Sequence, residues 1–311
     1  MSMTNARSTS ESERHSGAVV TPLRRMPHRM SAATTPPVSV LILTLNEELN
    51  LADCLESVSW CDDVVVLDSF SSDRTVEIAL RRGARVHERA FDDYASQRNF
   101  GLQQVRYKHK WVLMLDADER VPEDLCAEMA RTVTDPAPGV SLYLLRRRDH
   151  LFGKWIRRSS GYPTWFGRLA RIGEVWVERP INEEYRTRGR CLELRGHLDH
   201  YPFNKGISAW IAKHDRYSTM EAQLIDQRRS EHRPYRDLFA RDARKRRRVL
   251  KQIAFALPCR PLLMFVALYF FKGGVFDGAA GFTFSALRAW YEYMIDCKRI
   301  ELERRHRGLP V

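Results

Sequence analysis

Three carboxylates in four residues, Asp116, Asp118 and Glu119, follow directly on the apolar run Val112-Leu113-Met114-Leu115. Such a run reads as a buried strand. Acids at its carboxyl end repel one another and lose hydration unless a cation or hydrogen-bond donors sit among them. Oxygen ligands of this kind suit Mg²⁺ or Mn²⁺, which keep several waters, take one or two carboxylates and draw their remaining ligands from substrate phosphates. The same residues also suit a strand followed by an acidic helix start, because Val121-Pro122-Glu123-Asp124 opens a helical pattern. Where the triplet falls in the fold decides between the two.

The elements before it supply that position. Val38 to Thr44 is a β-rich apolar run ending in the polar Asn46-Glu47-Glu48. Leu49, Ala52, Leu55 and Val58 then carry helical spacing, and Val64 to Leu67 gives a second buried strand that stops at Asp68. Asp73 is placed to cap a helix running to Arg82, Gly83 to end it, and Ala84 to His87 to begin a third strand. A further helix through Gln104 precedes the strand that ends in Asp116. Strands alternating with helices predict an α/β fold with a mostly parallel sheet, whose ligands bind outside the carboxyl ends of the strands. Asn46, Asp68 and Asp116 all fall at that edge, whereas chance would scatter them over both, so the pattern favours a site.

Composition narrows the partners. The chain has 311 residues, 44% of them hydrophobic, and a net charge of +12. That length can bury a sizeable core, and the charge points to phosphate-bearing partners such as nucleic acid, an anionic membrane or a phosphorylated substrate. The six cysteines are scattered without a Cys-x-x-Cys pair, which suits reduced thiols in a cytoplasm. His197 and His200, three apart, lack a cysteine or third histidine for zinc and read as structural histidines. No Walker lysine, dinucleotide glycine fingerprint or Gly-x-Ser-x-Gly elbow occurs, which removes the commonest NTPase, dehydrogenase and hydrolase readings. Residues 1–36, rich in Ser, Thr, Arg and Pro and without a continuous apolar stretch, predict a disordered leader rather than a secretory signal.

The stretch from Val38 to Leu125 resembles family 2 glycosyltransferases of the GT-A fold. The residues that carry the likeness are Thr44-Leu45-Asn46-Glu47-Glu48, Asp68-Ser69-Phe70-Ser71-Ser72-Asp73-Arg74-Thr75, Gln97-Arg98-Asn99 and Asp116-Ala117-Asp118-Glu119, in that order. Within the family the chain is most similar to bacterial lipopolysaccharide-core β-1,4-glucosyltransferases. The resemblance implies that Thr44, Asn46, Glu48 and Asp68 lie on the nucleotide side, holding base and ribose, and that Asp116 and Asp118 reach the ribose and a metal on the diphosphate. Arg98 then either contacts the diphosphate or is a helix-surface arginine. Phe70 stands where the family commonly has glycine, and Asn182 where it has the histidine of a His-Glu pair. Among Asp149, Glu174, Glu178, Glu183, Glu184 and Asp199, only Glu183 coincides with that pair's acid, which makes it the expected catalytic base.

Farther on, a stretch from Lys154 to Arg171 mixes aromatic rings with arginines, a combination that suits a sugar face and a phosphate and equally suits a packed loop. The chain turns strongly basic from Arg228 to Lys251, and then apolar from Ile253 to Phe271 with Pro258, Arg260 and Pro261 interrupting it. A spanning helix needs about 20 predominantly apolar residues, so an interfacial or re-entrant segment fits better. After Gly273-Gly274 an aromatic helix with Trp290, Tyr291 and Tyr293 suits a headgroup belt. The expected organisation is a leader (1–36), a GT-A domain (37–227) and a C-terminal helical membrane-associating region (228–311).

The expected activity is inverting, metal-dependent transfer of glucose from UDP-glucose to a lipid-linked or core-oligosaccharide acceptor. Its expected place is the cytoplasmic face of the bacterial inner membrane, held peripherally or monotopically on the anionic surface. A polyprenyl-phosphate sugar transferase is the alternative enzyme. The alternative of another class is a nucleic-acid-binding protein with a basic tail, disfavoured because the charge adjoins an apolar segment and no RNA- or DNA-binding motif interleaves it, so no nucleic-acid partner is expected.

Overall fold

The structure, a computed structural model, describes residues 35–178, 184–227 and 259–311. The first half alternates as its periodicity predicts: β1 (Val38–Thr44), α1 (Glu48–Ser57), β2 (Val64–Asp68), α2 (Thr75–Arg81), β3 (Arg85–Glu88), α3 (Tyr94–Gln104) and β4 (Trp111–Asp116). β1 pairs in parallel with β2 and β4, and β2 with β3. Asp68 and Asp116 therefore end neighbouring strands of one parallel run. Asp73 sits one residue farther from its helix than the sequence predicts. Arg74 occupies the flanking position without a side-chain cap, while Asp73 accepts the amide of Thr75 on one oxygen and that of Glu48 on the other.

The second half brings antiparallel pairs into the sheet. The strands are β5 (Glu119–Arg120), β6 (Val140–Leu151), β7 (Lys154–Trp155), β8 (Trp165–Arg171), β9 (Val175–Glu178), β10 (Glu184–Thr187) and β11 (Arg190–His200), with α4 (Glu123–Thr134) between β5 and β6. The sheet order is β3-β2-β1-β4-β8-β6-β11-β5, with β7 paired to β6 and β9 to β10 in a separate ribbon. β8 runs antiparallel to both β4 and β6. Two strands opposed to the same neighbour share a direction, so the carboxyl ends of β6, and of β11 parallel to it, join those of β2 and β4 at one edge. The sheet is mixed because β8 enters between β4 and β6.

Two apolar layers clamp this sheet. Leu125, Cys126, Met129, Ala130 and Val133 recur at helical spacing along α4, and most of that stripe packs with Val40, Ile42, Leu113 and Leu115. On the other face Leu41, Val65, Val112 and Met114 pack with Ala95 and Leu102 of α3. Gly101 lets α3 approach closely, since a Cβ there would lie 2.4 Å from Leu41 Cδ2. That approach sets Arg98, one turn earlier, against the end of β4.

Beyond the sheet lie α5 (Ile207–Gln227), α6 (Arg260–Val266), a π-helical turn (Ala267–Phe271), a 3₁₀ turn (Gly274–Asp277) and α7 (Gly278–His306). Among the described residues no single helix is long and apolar enough to cross a membrane; the pair Arg260–Phe271 and Gly274–His306, bent by 70°, passes that test together by length and composition. Arg260, the charge that interrupts the apolar run, is buried against Glu292 and Asp296 of α7. The basic run 228–251 and the apolar start 253–258 lie outside the described residues.

Candidate active site

The loops after β1 and β2 are tied to each other before any ligand is considered. Asp68, fully buried, accepts hydrogen bonds from Thr44 Oγ1 (2.6 Å), Ser71 N (2.6 Å) and Ser71 Oγ (2.6 Å). Asn46 donates its amide to Ser71 Oγ and accepts that of Ser72 on Oδ1, both at 2.8 Å. Glu48 pairs with Arg74. Thr44, Asn46, Glu48 and Asp68 are thus gathered at one edge, with Asn46 and Glu48 spent on joining the loops. Phe70 keeps the turn expected of glycine: its φ is +60°, and its ring is exposed. A left-handed conformation costs a side-chain-bearing residue about 1–2 kcal/mol.

Asp116 is the centre of a charge cluster. Arg98 Nη2 donates to its Oδ1 and Arg168 Nη2 to its Oδ2, each at 2.7 Å, and Arg168 also reaches Glu119 Oε1 at 2.7 Å. Glu119 in turn accepts the amide of Asp116 at 3.0 Å. Burial pushes the Asp116 carboxyl up, but Arg168 and Arg98 outweigh it and hold the group well below the usual carboxylate range. Arg98 is buried, so the helix-surface reading fails. Arg168 comes from β8 and is 2% exposed, and its Nε and Nη1 find no hydrogen-bond acceptor among the described residues. Buried donors left over beside a carboxylate end are suited to an anion.

Asp118 reaches a different partner. Its Oδ2 lies 3.3 Å from His200 Nε2, and His200 Nδ1 lies 2.6 Å from Asp149 Oδ1. Burial and Arg147 lower the His200 pKa, yet Asp118 and Asp149 raise it overall. Asp118 is held below the usual range by His200 against burial. Lys213 of α5 is raised in the same way, with burial opposed chiefly by Asp118.

No group of three or more His, Cys, Asp or Glu side chains arranged to hold a metal occurs among the described residues. Of the expected ligands Asp116 and Asp118, Asp116 accepts a guanidinium on each oxygen, and Asp118 stands beside His200. An imidazole fixed through its other nitrogen by a carboxylate is a common metal-ligand arrangement. Two protein ligands fit a hard divalent ion that completes its shell with diphosphate oxygens and water.

Glu183 lies outside the described residues. Its neighbour Glu184 pairs with Arg186 at 3.0 Å. Glu174 is bound to Ser141 and Arg171, Glu178 to Arg186, and Asp199 to Arg148 and His150. Asp149 alone among the described candidates contacts the Asp118 group, through His200.

The sequence profile described as Glycosyl transferase family 2 matches residues 39–201, which hold every residue of this edge except Lys213. The chain belongs to glycosyl transferase family 2. This family 2 glycosyltransferase is 26% identical to the lipopolysaccharide core biosynthesis glycosyltransferase LpsC of Rhizobium meliloti, over 84% of this chain and 91% of LpsC. It is 36% identical to an uncharacterized glycosyltransferase of Rickettsia bellii, over 64% of this chain and 71% of that protein. Among solved structures it aligns with glucosyl-3-phosphoglycerate synthase from Mycobacterium tuberculosis in complex with Mn²⁺, UDP and glucosyl-3-phosphoglycerate, at 22% identity and a TM-score of 0.31, over 36% of this chain and 44% of the synthase. The chain thus spans less than half of that structure. Its α/β architecture, parallel from β3 to β4 and mixed beyond, is GT-A-like.

Three residues of the site, His200, Asp149 and Lys213, escaped the sequence motifs, and Arg168 entered only as one arginine of the aromatic and basic stretch from Lys154 to Arg171. Asp149 figured only among the acids, and His200 only as a weak partner for His197. The one available signal for Lys213 was the Lys213-to-Ser218 segment, which resembles a family segment without an assigned role.

Proposed function

We infer that this glycosyltransferase moves glucose from UDP-glucose to a hydroxyl of a lipid-linked or lipopolysaccharide-core oligosaccharide, with inversion and with Mg²⁺ or Mn²⁺. The observation that carries the reading is the convergence, at the carboxyl edge, of Asp68, Asp116 and Asp118 with Arg98, Arg168 and Lys213. Acids to hold a nucleoside and cations to receive a diphosphate are what such a donor requires. The similarity to LpsC supports the acceptor class.

Asp68 and the two loops it ties together face the base and ribose. Asp118 and His200 would hold the metal, which when bound neutralises the departing diphosphate. Arg168 and Lys213 place further positive charge where negative charge develops. The acceptor oxygen bonds to the anomeric carbon as the bond from that carbon to the diphosphate oxygen breaks. The electron pair leaves on the diphosphate, and the hydroxyl proton passes to Glu183 on the opposite face of the sugar.

The place proposed for this reaction is the cytoplasmic face of the bacterial inner membrane, with the protein held peripherally or monotopically. Leu262, Leu263, Phe270, Phe271, Phe276 and Phe282 are exposed on α6, the turns and the start of α7, Phe271 at 86% and Phe276 at 72%. An apolar patch of this kind beside a polybasic sequence suits an anionic bilayer surface. Concentrated salt should leave the protein on anionic vesicles, and complete release by salt alone would rule out apolar anchoring.

Screening nucleotide sugars for slow hydrolysis by the full chain, with UDP binding measured in parallel, tests the donor. UDP-glucose should be consumed, and a chelator should stop it. Glu183→Gln should keep UDP binding and lower transfer by roughly 10² to 10⁴, with Glu184→Gln doing much less. Normal transfer by the first variant and failure of the second would move the base by one residue, and turnover of a polyprenyl phosphate as sole acceptor would replace the hydroxyl reading.

A further inference from the structure

A second charged cluster lies at the same edge and takes no part in the chemistry above. Along β6, Arg147 and Asp149 reach Glu119 and His200, while Arg146 and Arg148, on the alternate face of the strand, meet a group of rings. The Arg146 guanidinium lies 5.7 Å from the Tyr162 ring centre and 5.3 Å from that of Trp165. Arg148 and Arg157 each lie 5.6 Å from the Trp155 ring centre, and Trp155 meets Tyr162 edge to face at 5.1 Å. The charge is unbalanced: Asp199 binds Arg148 through both oxygens, at 2.6 and 2.9 Å, whereas Arg146 and the exposed Arg157 make no ion pair among the described residues.

Two polar atoms here are also unsatisfied. Trp155 Nε1 and Arg146 Nε are buried and find no acceptor among the described residues, and a buried donor left so carries an uncompensated desolvation cost. Packing alone gives no reason to place two orphaned N–H donors and two uncompensated guanidinium groups around three aromatic rings. An acceptor-rich ligand does. Aromatic faces suit the C–H face of a sugar, and guanidinium groups suit phosphate or carboxylate oxygens.

The geometry points to a binding site for an anionic sugar, a saccharide bearing a phosphate or carboxylate, built from Arg146, Arg157, Trp155, Tyr162 and Trp165. Its use as an acceptor subsite rests on the transferase reading above. Sharing β6 with the acid group, it tethers one sugar of an oligosaccharide at the edge where another is glycosylated. Arg157, exposed over the Trp155 ring, is placed to meet its anion.

Titrating the full chain with glucose 6-phosphate, glucuronate, glucose and inorganic phosphate, read by tryptophan fluorescence and calorimetry, tests this directly. At least one charged sugar should bind about tenfold or more tighter than both glucose and inorganic phosphate, and the tighter of the two names the anion. Arg146→Gln should lose most of that preference and Trp155→Phe, which keeps the ring but removes the donor, part of it, with UDP affinity unchanged in both. Arg157→Gln, at an exposed position that cannot unfold the chain, should weaken the charged sugar without weakening glucose. Equal binding of charged and neutral sugars, inorganic phosphate binding as tightly as the sugar phosphate, or indifference to both arginine variants would overturn the site. Failure to bind UDP would instead sink the donor reading and leave this one standing.

Discussion

Two aspartates, Asp63 buried and Asp116 half-buried, lie at opposite ends of the parallel strands and are satisfied in opposite ways. Asp63, at the amino edge, accepts Ser39 Oγ (2.5 Å) and Lys108 N (2.7 Å) on one oxygen and Arg85 Nη2 (2.7 Å) on the other. Those partners stand at or near the starts of β1, β4 and β3, so one carboxylate fastens four strands together. Asp116, at the carboxyl edge, is met by two buried guanidinium groups, and that of Arg168 keeps donors without an acceptor among the described residues. The amino edge spends its polar groups on the protein. The carboxyl edge holds charge in reserve, and that reserve distinguishes a site from a strut.

Asp118→Asn gives the largest expected break in this contrast. It should lower transfer by about 10³, a typical loss when one electrostatic contact to developing charge is removed, with the thermal midpoint nearly unchanged. A variant that unfolds instead would make Asp118 as structural as Asp63. Asp149→Asn should act at one remove, lowering metal affinity by about 10- to 100-fold through the loosened His200. Excess metal should restore its rate, and no rescue would separate His200 from the metal.

Asp63→Asn should invert the pattern, costing about 2 kcal/mol of stability while kcat stays normal. Burial raises the Asp63 pKa, but Ser39, the Lys108 amide and Arg85 bring it below its ordinary value overall. A depressed carboxylate stabilises above its unfolded pKa, near 3.9, and loses that contribution as pH falls through its folded value. The stability gap between wild type and the variant should therefore narrow as denaturation is followed below about pH 4. A gap that widened in acid would reverse the assignment. The smallest effect belongs to Phe70→Gly, which relieves the left-handed strain at the carboxyl edge and should stabilise by under about 1 kcal/mol. Destabilisation there would mean that the exposed ring packs on something.

Asp68 and Asp116 were legible because each ends an apolar run whose alternation with helices fixes the edge on which it falls. Arg168 was legible only as one arginine of an aromatic and basic stretch, because a charge between Gly167 and Leu169 reads as an interruption of a strand, whereas Asp116 and Glu119 compensate it only across the sheet. His200 was passed over because zinc spacing was sought along the chain, while its partners Asp118 and Asp149 come from other elements. Three successive arginines, Arg146-Arg147-Arg148, read locally as loop; in the fold they alternate between two polar clusters, and β6 continues through them to Leu151.

Asp277, in the turn before α7, accepts hydrogen bonds from the amides of Arg158 (2.9 Å) and Ser159 (2.9 Å) and from Ser159 Oγ (3.0 Å). Ala280 of α7 packs on Leu151 and Ile156, and Lys298 binds Asp215 of α5 at 2.6 Å. Gly281 admits no side chain, since a Cβ would lie 2.1 Å from the Gly274 carbonyl oxygen. The C-terminal helices and the sheet are therefore joined by buried hydrogen bonds and apolar contacts. Cutting the chain after Gln227 would strip two buried amides and an apolar surface of their cover, so the residue at which the composition changes is not one at which folding can stop. Hydrogen exchange should find the amides of Arg158 and Ser159 opening together with α7.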